Sequence, residues 1–438
     1  MLLWAILCAF VTSFSFASYS LLLPAFLQEF HWAHGAAALP FSLAMVVWGA
    51  MQPLTGALAD RRGTRPVILG GILCSTLGFL TLGTAQSLWQ IALGFGVLIG
   101  TANSACGSMM WALLIAKWFP GARRAAAVGL LQAATPASPI VLAPVLFVLI
   151  AQYGWRAAAL GLGLVLLLIA FPLAYVIVKD PPAAAGTVPG ATAAQPRGRV
   201  QEALGLLRRG PLRNLMLSRF ACGLSFFIIP HLAVAATAAG LTPSEAATAV
   251  ALYGCASTVG ALAGGLAADR WGRVPILMAT YLLRGLGALA LAVPVMPAWW
   301  FYVAVALAAG PVFATVTINN VQTFELVGPT RAGLILGVSF VVHQVAAAVA
   351  PYASGLVFDA TGTYRLAFFV LGLVMLLALL PAAFTTDAAA RSFWVSWRRL
   401  LTDSARSPAR SRRRRAVAGS SAAASRATAR MELAKPVG

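Results

Sequence analysis

Charge is scarce in this chain, and acid above all. Asp and Glu number 11 among 438 residues, Lys117, Lys179 and Lys435 are the only lysines, and charged residues make up 10% of the sequence. With 60% of residues apolar, too little polar surface exists to clothe a water-soluble fold of this length. Lipid must therefore be the solvent for most of the chain. The cysteines Cys8, Cys74, Cys106, Cys222 and Cys255 fall inside apolar runs without paired metal-ligand spacing, which argues against a disulfide framework or a zinc site. No nucleophile–base pair, metal cluster or phosphate-cradling glycine loop stands at a spacing that chemistry would need. No enzyme and no cofactor is expected.

What is abundant is apolar sequence in long runs. A membrane span needs roughly 20 mostly apolar residues, and such runs recur from the first residue to about residue 385. About twelve can be drawn: 4–27, 36–58, 66–84, 88–115, 125–150, 157–178, 214–239, 246–268, 274–293, 299–324, 332–355 and 365–385. They are long and lack strict alternation, so they read as helices, not barrel strands. The expected fold class is all-α, a polytopic membrane protein. Met1 to Ala5 carry no Lys or Arg and the first run exceeds a signal core, so it is expected to stay as helix one.

A formal charge of +20 would suggest a nucleic-acid partner in a soluble protein, so its placement decides its meaning. Arg61, Arg62 and Arg65 follow the second run, and Lys117, Arg123 and Arg124 follow the fourth. Lys179, Arg197, Arg199, Arg208, Arg209, Arg213 and Arg219 are assigned to the long loop after the sixth, and Arg270, Arg273 and Arg331 to the next two even-numbered loops. The odd-numbered loops offer Arg156 and Arg365 alone. This asymmetry is the positive-inside pattern, which places both termini and the central loop in the cytoplasm and implies no nucleic acid. His31 and His34 fall in the first external loop and read as solvated. The tail carries Arg412 to Arg415 among Ala and Ser and reads as disordered, while Phe393, Trp394, Trp397, Leu400 and Leu401 beside Arg391, Arg398 and Arg399 suit the anionic inner leaflet.

The second run leads into GALADRRGTRPVIL (56–69) and the eighth into GGLAADRWGRVPIL (264–277), so Asp60, Arg61, Gly63 and Pro66 match Asp269, Arg270, Gly272 and Pro275. Two such segments, each after the second span of a six-span block, imply duplication. Internal repeats mark secondary transporters, whose sites lie between the repeats near the midplane. On this twice-occurring loop, residues 1 to about 385 resemble the major facilitator superfamily. The resemblance implies two pseudo-symmetric six-helix bundles, 1–178 and 214–385, joined by a cytoplasmic loop at 179–213 and followed by a basic tail at 386–438. It further implies that Asp60, Arg61, Asp269 and Arg270, with Arg65 and Arg273 on the same loops, form a cytoplasmic gate that latches the halves in the outward-facing state. Topology and turn formation are the plainer duties of these residues. Thr64 stands where the family has a basic residue.

KWFPGARRAAAVGLLQAATPAS (117–138), QYGWRAAALGLG (152–163) and GLVFDATGTYRLAFF (355–369) resemble the monocarboxylate and oxalate-formate transporter branch. Helix eight nevertheless lacks that branch's Asp and Arg, and helix eleven has His343 and Gln344 where the oxalate-formate exchanger has Lys. Proton-antiport drug exporters carry a G-P-x-x-G-G element on helix five and an Arg in helix four; helix five here reads ATPASPIVLAP (134–144) and helix four has no Arg. The want of any acid within the spans also weighs against sugar–proton symport.

In this fold helices one, four, seven and ten line the cavity, and polar groups at membrane depth are costly unless paired or wet. Substrate-binding candidates there are Ser15 and Tyr19, Asn103 and Ser108, His231, and Asn319, Asn320 and Gln322, with helix-packing hydrogen bonds as the alternative role. Pro24, Pro136, Pro139, Pro144, Pro230 and Pro311 interrupt spans. Arg284 is the strong cation within a span, without an acid nearby in sequence, and binds either an anion or carbonyls. His231 and His343 are the groups that titrate near neutrality at membrane depth, hence the proton-coupling candidates.

The expected function is a secondary transporter, a monomer moving a small organic anion, a monocarboxylate, by alternating access with proton coupling or exchange. Efflux of amphipathic compounds by proton antiport and a non-transporting membrane sensor stay open. Arg and Ala in place of Lys suggest a GC-rich bacterial genome and an inner-membrane location.

Overall fold

A computed structural model describes residues 2–119, 123–180, 205, 208, 210–294 and 296–385, the side chains of 123–126 and 329–332 excepted. Most of the 179–213 loop and all of the 386–438 tail therefore lie outside the described residues. Eleven helical runs among these residues are long and apolar enough to span a membrane. One of them, Ala127–Ile177, has 51 residues, which at 1.5 Å per residue would run about 77 Å, over twice a hydrocarbon core. It folds back at Gly154, whose φ of 79° only glycine adopts freely. Twelve helices result.

They are α1 (Leu2–Phe30), α2 (His34–Arg62), α3 (Thr64–Gly83), α4 (Leu88–Trp118), α5 (123–153), α6 (155–177), α7 (Gly210–Ala238), α8 (Pro243–Trp271), α9 (Arg273–Leu291), α10 (Ala298–Val327), α11 (Pro329–Thr361) and α12 (Arg365–Ala383). Most exceed the hydropathy runs by a few residues, because a helix persists into the interface where its side chains turn polar. Asp60 and Arg61 thus sit in the last turn of α2, and Asp269 and Arg270 in that of α8. Thr242 and Glu245 close a capping box at the start of α8. Gly63 and Gly272 end α2 and α8 in the same left-handed-region conformation, φ 89° and 91° with ψ 165° and 154°. The repeat seen in sequence is a repeat in backbone geometry.

The helices expected to line a cavity are the ones that break. α1 is interrupted at Ser13 and Ser18, α4 passes through a π-helical stretch at Ala92–Ile99 and parts at Gly107, α7 tightens to a 3-10 turn at Ser225–Phe227, and α10 parts at Gly310 and Pro311. Lesser interruptions occur in α6 and α12.

The halves meet through α2 against α11, α5 against α8, and α1 against α7. Small residues bring these backbones close, as expected where packing rather than water drives association. A Cβ on Gly254 of α8 would lie 2.9 Å from the Pro136 carbonyl of α5, and one on Gly355 of α11 would lie 2.6 Å from the Gly35 nitrogen of α2. Trp48 and Phe340 meet edge-on at 5.7 Å, and Phe16 and Phe226 tilt together at 6.1 Å. At the end of the molecule bearing His34, here the far end, Asp359 of α11 binds the first residues of α2. At the opposite, basic end, no hydrogen bond or ion pair joins the halves among the described residues.

Candidate functional site

The strongest electrostatic feature lies inside the second half. Arg284 of α9 is 1% exposed, with Cys222 and Ser225 of α7 and Thr315 of α10 around it. Its guanidinium donates to the Cys222 carbonyl at 3.3 Å, to the Thr315 hydroxyl at 3.3 Å and to the Ser225 hydroxyl. Two of these acceptors, Cys222 and Ser225, sit where α7 tightens to the 3-10 turn that begins at Ser225. The charge pattern groups Arg219 with the central-loop cations although the 214–239 run includes it; α7 begins at Gly210 and holds Arg219 inside the bundle, 2% exposed. Its guanidinium donates to the Val316 carbonyl at 3.4 Å and to Asn320 Oδ1 at 3.2 Å. Among the described residues neither arginine has a carboxylate partner, and the Nε of each lacks an acceptor. Two buried cations without an acid is the reverse of the usual paired arrangement.

Other candidates surround this pair. Asn319 and Gln322 are buried on α10; Asn319 leaves both amide atoms without a partner, and Gln322 reaches Thr385 at 3.1 Å while its Oε1 stays free. His343 of α11 lies edge-on to Phe226 at 4.6 Å, its Nδ1 3.0 Å from Gln344 Oε1 and its Nε2 free. α11 passes α7 so closely here that a Cβ on Gly223 would come within 2.7 Å of that of Ala346.

His231 stands apart. It is fully buried, Tyr364 donates its hydroxyl to Nδ1 at 2.8 Å, and Nε2 donates to the Pro351 carbonyl at 2.9 Å. Both nitrogens are thus engaged in tying α7 to α11 and to Tyr364 at the start of α12. In the first half, the Tyr19 hydroxyl is spent on the Ala37 carbonyl at 2.5 Å, while Asn103 is buried with its amide nitrogen free. A cavity of about 40 Å³ lies between α1, α5, α7 and α8, against Phe16, Tyr253 and Phe313. Its walls include the buried Ser20 and the half-buried Thr135, whose hydroxyls have no partner. Sequence reasoning passed over both because single hydroxyls on small-residue helices carry no distinctive pattern.

The loop residues act within their own halves in this conformation. Asp60, Arg61, Asp269 and Arg270 are exposed. Arg65 donates to the Tyr175 carbonyl at 2.9 Å and lies over that ring at 4.9 Å. Arg273 pairs with Glu325 at the end of α10. Asp180 takes the place of a cap for α3, accepting from the Thr64 N–H at 2.9 Å, the Thr64 hydroxyl and the Arg65 N–H at 3.1 Å, with Lys117 at 3.9 Å. Burial would raise the Asp180 carboxyl, but these hydrogen bonds and the Lys117 charge outweigh it and hold the group below its ordinary value. Thr64, the departure from the family pattern, is thus the residue that recruits Asp180.

Twelve membrane-crossing helices in two pseudo-symmetric halves, with the breaks concentrated in α1, α4, α7 and α10, define a class of membrane transporter. The chain belongs to the Major Facilitator Superfamily, whose sequence profile matches residues 5–231 and again 215–425, one match for each half. It is 29% identical over 374 residues to monocarboxylate transporter 11 of Mus musculus, covering 81% of this chain and 79% of that protein. The human protein of the same name is 30% identical over 359 residues, covering 76% and 71%. An uncharacterized MFS-type transporter of Bacillus subtilis, YcxA, is 26% identical over 346 residues, covering 77% and 83%. The protein is an integral membrane transporter, not an enzyme.

Proposed function

We propose that this transporter carries a small organic anion, a monocarboxylate, by alternating access, coupled to protons or to exchange of a second anion. The observation that carries the reading is the pair of buried guanidiniums, Arg219 and Arg284, without an acid among the described residues. Burying a cation in a membrane costs several kcal/mol (~3 on insertion scales), so an anion reaching these groups would gain what they lack. Relatives named monocarboxylate transporters point the same way. Among the two intramembrane histidines, His343 has the free nitrogen and is the better proton site; His231 is occupied.

The proposed topology puts the basic end, both termini and the 179–213 loop in the cytoplasm, in a bacterial inner membrane, with the monomer as the working unit. In that orientation the present conformation faces inward, and Asp60, Arg61, Arg65, Asp269, Arg270 and Arg273 regroup as the gate when the basic ends approach. A second reading, export of an amphipathic compound, is favoured by the apolar walls of the cavity near Tyr253. Counterflow in proteoliposomes decides between them: labelled short-chain monocarboxylates should accumulate against an internal pool of the same acid. Absence of counterflow across a broad panel of acids, with drug efflux present, would move the assignment to export.

A further inference from the structure

The far end contains an interaction whose geometry makes sense only between the halves. Asp359 lies near the C-terminus of α11, two residues before Thr361, where the helix's own dipole disfavours negative charge. No basic side chain of the second half pairs with it among the described residues. Its carboxylate instead faces the N-terminus of α2, in the other half. Oδ1 accepts from the His34 N–H at 2.7 Å and Oδ2 from the Gly35 N–H at 2.9 Å, with His34 Nδ1 3.3 Å away. These are the donors an α-helix leaves unsatisfied, and Ala33 at the cap position supplies no side-chain acceptor for them.

The surroundings fit such a role. The Gly35–Gly355 crossing lets the two backbones approach, and the His34 ring packs against Phe358 with centroids 3.8 Å apart. Beneath, Tyr364 packs on Phe358 at 4.6 Å and is held by His231. The C-terminal end of α11 is thereby braced from its own half and presents the carboxylate outward. His34, which reads in sequence as a solvated residue of the first external loop, is the first residue of α2 and half-buried at this contact.

We propose that Asp359 is the far-end latch of the transport cycle: it caps α2 across the interface to hold this end shut, and releases those N–H groups when the halves rock apart. Two charge-assisted hydrogen bonds and a helix dipole are enough to bias a two-state equilibrium, yet exposed enough to break and be replaced by water. The latch is independent of which solute is carried, so it stands or falls apart from the anion reading.

The test uses the full chain in lipid nanodiscs, with Cys74→Ser and Cys255→Ser to remove the more accessible thiols and spin labels at Ala33→Cys and Thr361→Cys. The parent should show mainly one short separation by double electron–electron resonance. Asp359→Asn keeps the shape and removes the charge, and should raise the open-to-closed ratio at this end roughly tenfold. His34→Pro attacks the same contact from the other partner: it deletes one donor, at a first helical position where proline is tolerated. It should shift the ratio in the same direction, and the double variant should go little further than either alone. An unchanged distance distribution in either folded variant, or fully additive shifts, overturns the proposal.

Discussion

Arg219 and Arg284 have the same burial and different neighbours, and both lack what a structural arginine usually has. The acceptors around Arg284 do not need it: Ser225 already donates to the Cys222 carbonyl at 2.8 Å, and Thr315 to the Pro311 carbonyl at 2.8 Å. Replacing Arg284 by methionine therefore removes a costly buried cation while leaving those acceptors satisfied, and replacing Arg219 relieves a second buried cation at the cost of its bond to Asn320 Oδ1. Desolvation relieved and charged hydrogen bonds lost, each a few kcal/mol (~3), should roughly cancel. Arg219→Met and Arg284→Met are expected to keep the apparent Tm within a few degrees of wild type while anion counterflow falls at least about tenfold. A large drop in Tm with proportionate loss of folded protein would instead mark them as structural ties. Of the two, Arg284 was legible in sequence because long apolar stretches flank it. Arg219 was not: it falls within the 214–239 run, but so close to Arg213 at that run's start that it groups with the cations of the loop. The histidines show the converse: sequence ranks His231 and His343 alike, and only the position of Tyr364 and the Pro351 carbonyl separates a brace from an imidazole with one unpartnered nitrogen.

At the scale of elements, hydropathy locates the helices and loses their ends. The DR motif reads as loop in sequence because its charges close the apolar run, yet the last turns of α2 and α8 contain it. The turn at Gly154 was legible from YGWR, a break between two runs too long together to cross once. The cap on α3 was not, since Asp180 lies 116 residues beyond Thr64. That cap has a pH signature. The folded carboxyl titrates below its unfolded value near 4, so its stabilisation is fully present above that value and is lost as pH falls through the lower, folded one. Asp180→Asn should accordingly be less stable than wild type at pH 6 to 7. The gap should close below about pH 4, as followed by denaturation of the two purified proteins side by side.

The whole molecule is an arrangement of two similar halves with dissimilar interiors. The first half pairs its cations at the partly exposed membrane edges, where Glu29 binds Arg156 and Trp155 on α6 and Asp180 meets Lys117. The second half holds Arg219 and Arg284 within the bundle. Duplication was visible in the paired loops, but this division of labour was not, because a repeat is detected by what its copies share. One consequence concerns ligand binding and protons together. An anion that binds the native protein raises its apparent stability by about 2.7 kcal/mol at a hundred times its Kd. If its site is the arginine pair and binding takes up a proton, as the unpartnered Nε2 of nearby His343 would allow, lower pH favours the bound state. Thermal shifts of the purified protein with short monocarboxylates should therefore be larger at pH 5.5 than at pH 7.5. His343→Gln, which keeps polarity without the unpartnered ring nitrogen, should make the two shifts equal while His231→Gln, at a ring with both nitrogens engaged, leaves the difference in place. Shifts that are the same at both pH values in wild type would assign the coupling to anion exchange, because an exchanger needs the two arginines and no proton.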